Sequence, residues 1–257
     1  IEGLTQGTEY EVQVQSVYND DFTSEWTAST LFTTSTALIV LDNDYAQPEG
    51  QKNTDLLAEN MGKTVDFTIQ GRTLYKDGSW NTIILPFNMT KEQFDASPLA
   101  GATINYVYYT STVVGTHVNL EFKEFDQELL EAVGFIAGYP FFVKWESGEN
   151  IVDPTFPGVV IRGSEDPFNL LNEDYTIFSI GQYSSLMMLP PEELTGEDDV
   201  LIYYLTSDNK LMYTGKRRLL NAFRHAFVFR NPDGSSMDAA DLTFDLSFDD
   251  GSQTRAF

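Results

Sequence analysis

Residues 102–110 read ATINYVYYT, and residues 117–125 read HVNLEFKEF. In the first stretch Tyr106 and Tyr108 share one face of an extended chain, while Val107 and Tyr109 share the other. Aromatic and β-branched residues fit the half-buried surface of a pleated sheet. The two stretches therefore predict β-strands, and they set the pattern for most of the chain.

Similar short stretches recur through residues 35–257, with turn formers between them. Residues 65–70 alternate apolar and polar side chains, and Asp77-Gly78 is the signal of a tight turn. Helical periodicity is sparse, and helical turns are expected only over residues 54–60 and after Thr90. About a dozen short strands predict an all-β fold, a β-sandwich or jelly-roll-like body.

Residues 1–34 form a separate hairpin pattern. Residues 10–18 alternate strictly, which predicts a half-buried strand, and residues 26–33 predict a second strand. A two-stranded hairpin alone is marginal in water. We therefore expect the two strands to pair, and their apolar face to pack either on the 35–257 body or on the same hairpin of a second molecule. That face consists of Tyr10, Val12, Val14 and Trp26.

The hairpin stretch, LTQGTEYEVQVQSVYNDDFTSEWTASTLFTT (residues 4–34), resembles the last two strands of a fibronectin type III domain. Leu4, the Gly7-Thr8 turn and Tyr10 match the tyrosine corner of that family, and Trp26 matches its final strand. The resemblance implies that residues 1–34 are a C-terminal fragment of such a sandwich within a multidomain chain. Modules of this family act as spacers, binders and adhesive units alike.

The body carries a second resemblance, through four stretches in order: GRTLYKDGSWNTIILPFNM (71–89), AGYPFFVKWESGENIVDPTF (137–156), LTSDNKLMYTGKRRLLNAFRHAFVF (205–229) and FDLSFDDGSQT (244–254). They resemble a β-rich C-terminal module of secreted or cell-surface proteins of gut Bacteroidetes. The likeness implies an extracellular or bacterial cell-surface location, and contact with glycans, proteins or a surface.

Motifs of catalysis are absent from the sequence. There is no nucleophile elbow, phosphate loop or HExxH, and the two histidines, His117 and His225, lie on different expected strands. The lack of cysteine excludes disulfides and thiolate chemistry. A net charge of −24 disfavours nucleic acid as a partner. The sequence has no run of 18 apolar residues, so no membrane span is predicted. We expect a protein that is not an enzyme and needs no cofactor.

Four aromatic residues are candidates for ligand binding: Tyr75, Trp80, Tyr108 and Tyr109. Sugar-binding modules stack the apolar C–H face of a pyranose on such rings. The alternative is that these rings pack in the core or pair across strands.

Five of the 15 cations fall within residues 216–230, namely Lys216, Arg217, Arg218, Arg224 and Arg230. They are a candidate docking patch for an acidic partner or for another part of this chain. The alternative is electrostatic relief on an acidic protein.

Acidic turns are weak candidates for Ca²⁺ ligands, at Asp42, Asp44, Asp198 and Asp199. None follows the EF-hand spacing, and Asp favours bends on its own account. We therefore expect no metal site.

Taken together, the sequence predicts a non-enzymatic extracellular module with an adhesion or ligand-binding role, whose partner is a host or microbial glycan or a surface protein. A dimer through the N-terminal hairpin is a further expectation. The alternative is a carbohydrate-binding module appended to a secreted glycan-degrading enzyme.

Overall fold

The computed structural model describes residues 4, 8–19, 22–33, 37–41, 47–48, 51–195, 200–237, 242–249 and 253–256. Strands account for 41% of the chain and helices for 10%. The all-β sandwich class expected from the sequence is therefore confirmed.

The strands of the described residues are β1 (Glu9–Val12), β2 (Val17–Asn19), β3 (Phe22–Thr23), β4 (Thr30–Thr33), β5 (Ala37–Leu41), β6 (Thr64–Ile69), β7 (Thr73–Leu74), β8 (Asn81–Ile83), β9 (Thr103–Val107), β10 (Thr112–Val114), β11 (His117–Glu124), β12 (Phe141–Lys144), β13 (Ile151–Val152), β14 (Thr155–Val160), β15 (Phe168–Leu170), β16 (Ile177–Gln182), β17 (Leu186–Met188), β18 (Tyr204–Leu205), β19 (Leu211–Met212), β20 (Arg218–Leu220), β21 (Arg224–Phe229), β22 (Thr243–Phe248) and β23 (Gln253–Ala256). The helices are α1 (Asn53–Glu59), α2 (Lys91–Asp95) and α3 (Gln127–Val133), with a 3₁₀ turn at Pro191–Glu193.

A central sheet runs in the order β23-β22-β11-β9-β12-β8, with β10 paired to β11. The pairing is antiparallel except between β11 and β22, which run parallel. Along β12 successive side chains point to opposite faces: Phe141 and Val143 join one apolar cluster, and Phe142 joins another. The central sheet is therefore a middle layer with a core on each side.

The first core lies against the sheet β14-β6-β5. Phe67 from β6 packs edge-on against Phe87, with ring centres 5.1 Å apart, and against Phe223 at 5.3 Å. Helix α2 is held by a capping box, because the Thr90 hydroxyl accepts from the Gln93 N–H and the Gln93 side chain accepts from the Thr90 N–H. The helical turn expected after Thr90 is confirmed.

The second core joins the central sheet to the antiparallel sheet β15-β16-β21. Phe142 packs edge-on against Phe122 at 5.0 Å and lies parallel to Phe227 at 6.0 Å. A third, smaller cluster covers the opposite face of β21, where Ala226 and Val228 meet side chains of the two-stranded sheet β17-β20. Strand β21 thus has apolar neighbours on both faces.

Two local expectations differ from the structure. Gly78 adopts the positive φ of a turn, but β7 and β8 on either side of it pair with β13 and β12 rather than with each other. The turn exists without a hairpin, because longer-range partners take both strands. Helix α3 was not expected: the Asp126 carboxylate accepts from the Leu129 N–H and starts a helix that ends at Val133, with Gly134 as its C-cap.

The N-terminal strands pair as expected, though they are shorter than the predicted ones. Strand β1 runs antiparallel to β4, and Tyr10 stacks on Phe32 with ring centres 6.0 Å apart. Val14 and Trp26 are each 59% exposed in the single chain. The prediction that these two side chains pack on the 35–257 body is therefore wrong. Packing on a second molecule, and the division of the chain at residue 35, stay predictions.

Candidate ligand-binding sites

The structure places the four aromatic candidates and two of the five cationic candidates in two separate cavities. Tyr108 and Tyr109 line one cavity of about 590 Å³. Tyr75, Trp80, Arg218 and Arg224 line another of about 510 Å³. Both volumes lie in the range of small-molecule sites, about 300–1,000 Å³. We call the cavity lined by Tyr108 and Tyr109 the tyrosine cleft, and the cavity lined by Arg218 and Arg224 the arginine pocket.

The tyrosine cleft owes its shape to the end of a strand. Strand β9 ends at Val107, and the rings of Tyr108 and Tyr109, just beyond its end, lie 4.4 Å apart. Strict alternation would place these two rings on opposite faces, so that expectation is wrong here. Tyr106 extends the aromatic surface, 6.3 Å from the Tyr108 ring and 6.4 Å from that of Tyr139.

The opposite wall of the cleft is a tight turn held by Asn172. This buried side chain accepts from the N–H groups of Thr176 and Ile177 and donates to the carbonyl of Ser111 at 3.1 Å. Within the turn Tyr175 has a φ of 58°, a left-handed conformation that a bulky residue rarely adopts. The turn projects Tyr175 outward, and its side chain is 68% exposed.

The phenols of Tyr109 and Tyr139 remain neutral at physiological pH. A hydrogen bond with Tyr108 raises the pKa of Tyr109, and burial raises the pKa of Tyr139 to about 12. Neutral phenols both donate and accept hydrogen bonds. Lys123 Nζ lies 5.6 Å from the centre of the Tyr108 ring, while Tyr109 is 51% exposed. The cleft therefore combines open ring faces with hydrogen-bonding groups.

The arginine pocket is built from the turn before β8, the β18-β19 hairpin and the start of β21. Arg218 stacks on Tyr204, with its guanidinium carbon 4.6 Å from the ring centre, and its Nη1 donates to the Tyr204 hydroxyl at 2.8 Å. Tyr75 is 47% exposed. The pocket thus has aromatic walls next to cationic groups.

A smaller cavity of about 100 Å³ adjoins the arginine pocket, since Asn221 and Arg224 line both. Its wall includes Arg72, which is buried and donates from Nη2 to the Thr82 carbonyl at 2.7 Å. Burial and the nearby Arg224 lower the pKa of Arg72 well below its usual range. Burial also lowers the pKa of Arg224. Two guanidinium groups therefore approach each other in a poorly hydrated place.

The candidate residues do not all lie where the sequence suggests. Trp80 is only 6% exposed, stacks on Phe248 at 5.3 Å and has Lys144 Nζ 4.9 Å from its ring centre. The expectation that Trp80 is an exposed stacking ring is therefore wrong, because the second core covers it. Its participation in ligand binding as a wall of the arginine pocket stays a prediction.

The five cations of the expected docking patch do not form one surface. Arg224 begins β21 and Arg230 follows its end, so the two are about 20 Å apart along the strand. Arg230 lies over Phe178 at 5.6 Å, and Arg217 donates to Glu193 at 2.6 Å. Lys216 is exposed. Of the five, Arg218 and Arg224 line the arginine pocket together.

The weak calcium candidates Asp42, Asp44, Asp198 and Asp199 lie outside the described residues. Within the described ranges, no group of three or more His, Asp or Glu side chains is placed to hold a metal ion. The two histidines lie on different strands: His117 pairs with Asp245 at 3.2 Å, and His225 is buried. Over the same ranges no helix is long and apolar enough for a membrane crossing.

Sequence reasoning missed several residues of both sites, namely Arg72, Tyr106, Tyr139, Tyr175, Tyr204 and His225. The NEDY turn at residues 172–175 carried a usable signal, since Asn at the start of a turn bonds the backbone that follows. Arg72 and His225 carried none, because their roles depend on neighbours far along the chain.

In comparisons with protein-family models, with curated proteins and with solved structures, nothing matches this chain. The two resemblances of the sequence, to a fibronectin type III fragment and to a Bacteroidetes surface module, therefore stay predictions. Function is therefore inferred from the geometry of the two cavities.

Proposed function

We propose that this protein is a non-enzymatic binding module of an extracellular or cell-surface chain, and that it holds neutral sugar rings in the tyrosine cleft. One observation carries the proposal. Two exposed tyrosine rings, Tyr109 and Tyr175, border a cleft of about 590 Å³ whose wall is fixed by the buried Asn172. A pyranose has an apolar C–H face and a polar rim, which suits open aromatic rings with hydrogen-bonding neighbours.

The rim chemistry supports a neutral ligand over an acidic one. Glu173 is exposed at the cleft, and the whole chain carries a net charge of −24. Because no Lys or Arg of the described residues lines the cleft, both features repel an anionic sugar there. The neutral phenols of Tyr109 and Tyr139 offer donors and acceptors to hydroxyl groups without adding charge.

A binding role of this kind serves two settings. In the first, which we prefer, the module attaches a surface protein to a host or microbial glycan. In the second, the module carries a glycan-degrading enzyme to its substrate. Both settings use the same cleft, and the domains that accompany the module in its parent chain distinguish them.

A glycan array of the purified chain tests the proposal, followed by calorimetric titration of the best neutral oligosaccharide. Tyr109→Ala and Tyr175→Ala are each expected to weaken binding about tenfold, since a lost ring contact is worth about 0.5–1.5 kcal/mol beyond area burial. Tyr75→Ala is the matched control, because Tyr75 is 47% exposed but lies in the other cavity. The proposed site would be refuted if the protein bound no neutral glycan on the array. It would also be refuted if all three variants lost the same amount of affinity.

A further inference from the structure

The arginine pocket and its adjoining cavity collect cations in a strongly acidic protein. Arg218 and Arg224 line the pocket, and Arg72 and Arg224 line the adjoining cavity. No Asp or Glu of the described residues lines either space. In a chain of net charge −24, carboxylates are plentiful, so a cationic enclosure without one is unusual. Like charges this close lower the stability of the site unless an anion offsets them.

Arg72 supplies a second, independent observation. It is 4% exposed, and its Nη1 is buried with no hydrogen-bond partner among the described residues. An unsatisfied donor of a buried charged group is costly, and Arg72 carries one beside the small cavity that it shares with Arg224. Guanidinium groups bind carboxylates through two parallel hydrogen bonds. The enclosure is thus chemically suited to a carboxylate.

His225 adds a requirement of the opposite kind. It lines the arginine pocket, is 1% exposed, and its Nε2 lies 2.9 Å from the Phe141 carbonyl. Since a carbonyl only accepts, Nε2 carries the hydrogen and Nδ1 is left as an acceptor, with no partner among the described residues. Burial lowers the pKa of His225 to about 4, which keeps the ring neutral at physiological pH. The same enclosure therefore suits a hydroxyl donor as well as an anion.

We infer that the arginine pocket binds a sugar acid: its carboxylate lies against Arg224 and Arg72, a ring hydroxyl approaches His225, and the sugar ring covers Tyr75. The volume of about 510 Å³ accommodates a monosaccharide with space for the next unit of a chain. A free sugar acid and the terminal residue of an acidic glycan share this chemistry. A long polyanion is disfavoured by the overall charge of −24.

Calorimetric titration of the intact chain tests the inference with defined probes. Glucuronate is expected to bind, while glucose and glucuronamide, which lack the charge, bind at least about tenfold more weakly. Acetate and inorganic sulfate, which lack the ring hydroxyls next to a carboxylate, are also expected to be weaker. Equal binding of glucose and glucuronate, or of acetate and glucuronate, would overturn the inference. A disaccharide with terminal glucuronate separates the sources: tighter binding than the monosaccharide assigns the site to a chain end, and weaker binding assigns it to the free acid.

Substitutions locate the binding in this pocket. Arg224→Met is expected to weaken glucuronate binding at least about tenfold, with partial recovery in Arg224→Lys. Arg217→Met is the control, since Arg217 pairs with Glu193 and does not line the pocket. If the Arg72→Met variant folds, we expect the same loss of glucuronate binding. If it does not fold, the Arg224→Met variant alone decides the test. Unchanged binding in Arg224→Met would refute the assignment, and unchanged glucuronate binding in Tyr109→Ala shows that this site is independent of the tyrosine cleft.

Discussion

The tyrosine cleft and the arginine pocket differ in the side chains that they offer a ligand and in the parts of the fold that support them. The cleft presents the exposed rings of Tyr109 and Tyr175, which lie outside the strands, and one of its walls depends on a buried amide, Asn172. The pocket presents cations whose backbone belongs to strands, and its wall is continuous with the second core through His225 and Phe142, whose rings lie 4.7 Å apart. Changes in the core should therefore affect the pocket, whereas changes in one turn should affect the cleft.

The largest effect is expected from the core beneath the pocket. Phe142 is fully buried and contacts Phe122, His225 and Phe227. Phe142→Ala should lower the free energy of unfolding by about 3–5 kcal/mol, since it removes apolar contacts and leaves a cavity. Urea unfolding measures this loss, and Val114→Ala at a 71% exposed position is the control. A loss below about 1 kcal/mol would mean that the pocket wall does not depend on this core.

For the tyrosine cleft, the substitution that corresponds to Phe142→Ala in the pocket is Asn172→Ala, because Asn172 is the buried side chain that supports the cleft wall. Asn172→Ala deletes the bonds to Ser111, Thr176 and Ile177 and should cost about 2–3 kcal/mol, because buried partners are left unsatisfied. Asn169→Ala, which removes a single bond to the Gly138 carbonyl, is the matched control and should cost about 1 kcal/mol. Urea unfolding and glycan titration are measured together. The comparison fails if Asn172→Ala keeps glycan affinity, or if it weakens binding in the arginine pocket.

Acidification should affect the pocket side of the molecule through His225. Burial lowers the pKa of His225 from 6.5 to about 4, so the unfolded chain takes up a proton at a higher pH than the folded one. The stabilising contribution is complete above pH 6.5 and is lost as the pH falls toward 4. Between about pH 6.5 and pH 5 we expect a loss of about 2 kcal/mol in the free energy of unfolding.

Urea unfolding at several pH values measures this loss, and His225→Phe should remove most of it. His117→Gln is the control, because His117 lies on an exposed strand face beside Asp245 and not in the core. A pH dependence that is the same in wild type and His225→Phe would mean that another group is responsible.

The two regions also differ in how far the sequence predicts them. Alternation along residues 117–125 correctly predicts β11, because one face of that strand is buried along its length. The Asp77-Gly78 turn fails to predict partners, since β7 and β8 pair with strands about 60 to 80 residues away. Tyr108 and Tyr109 can be chosen as candidates from the sequence, because two adjacent tyrosines are visible there without the fold. Arg72 cannot be chosen in this way, because its role depends on the cavity that it shares with Arg224, which lies 152 positions further along the chain. Local chemistry is readable in sequence, whereas a site assembled from distant strands requires the fold.

The smallest effect distinguishes stability from binding within the cleft itself. Tyr175 has a φ of 58° and is 68% exposed, so its side chain contributes little burial while its backbone is strained. Tyr175→Gly should therefore leave the free energy of unfolding unchanged or raise it by about 1 kcal/mol, since glycine adopts this conformation without strain. Glycan titration of the same variant should nevertheless show weakened binding. At Tyr75, which has no positive φ, the same substitution should lower stability by about 1 kcal/mol through added chain entropy. Equal destabilisation at both positions would show that Tyr175 packs as a structural residue, and its exposed ring would no longer support a glycan-binding cleft.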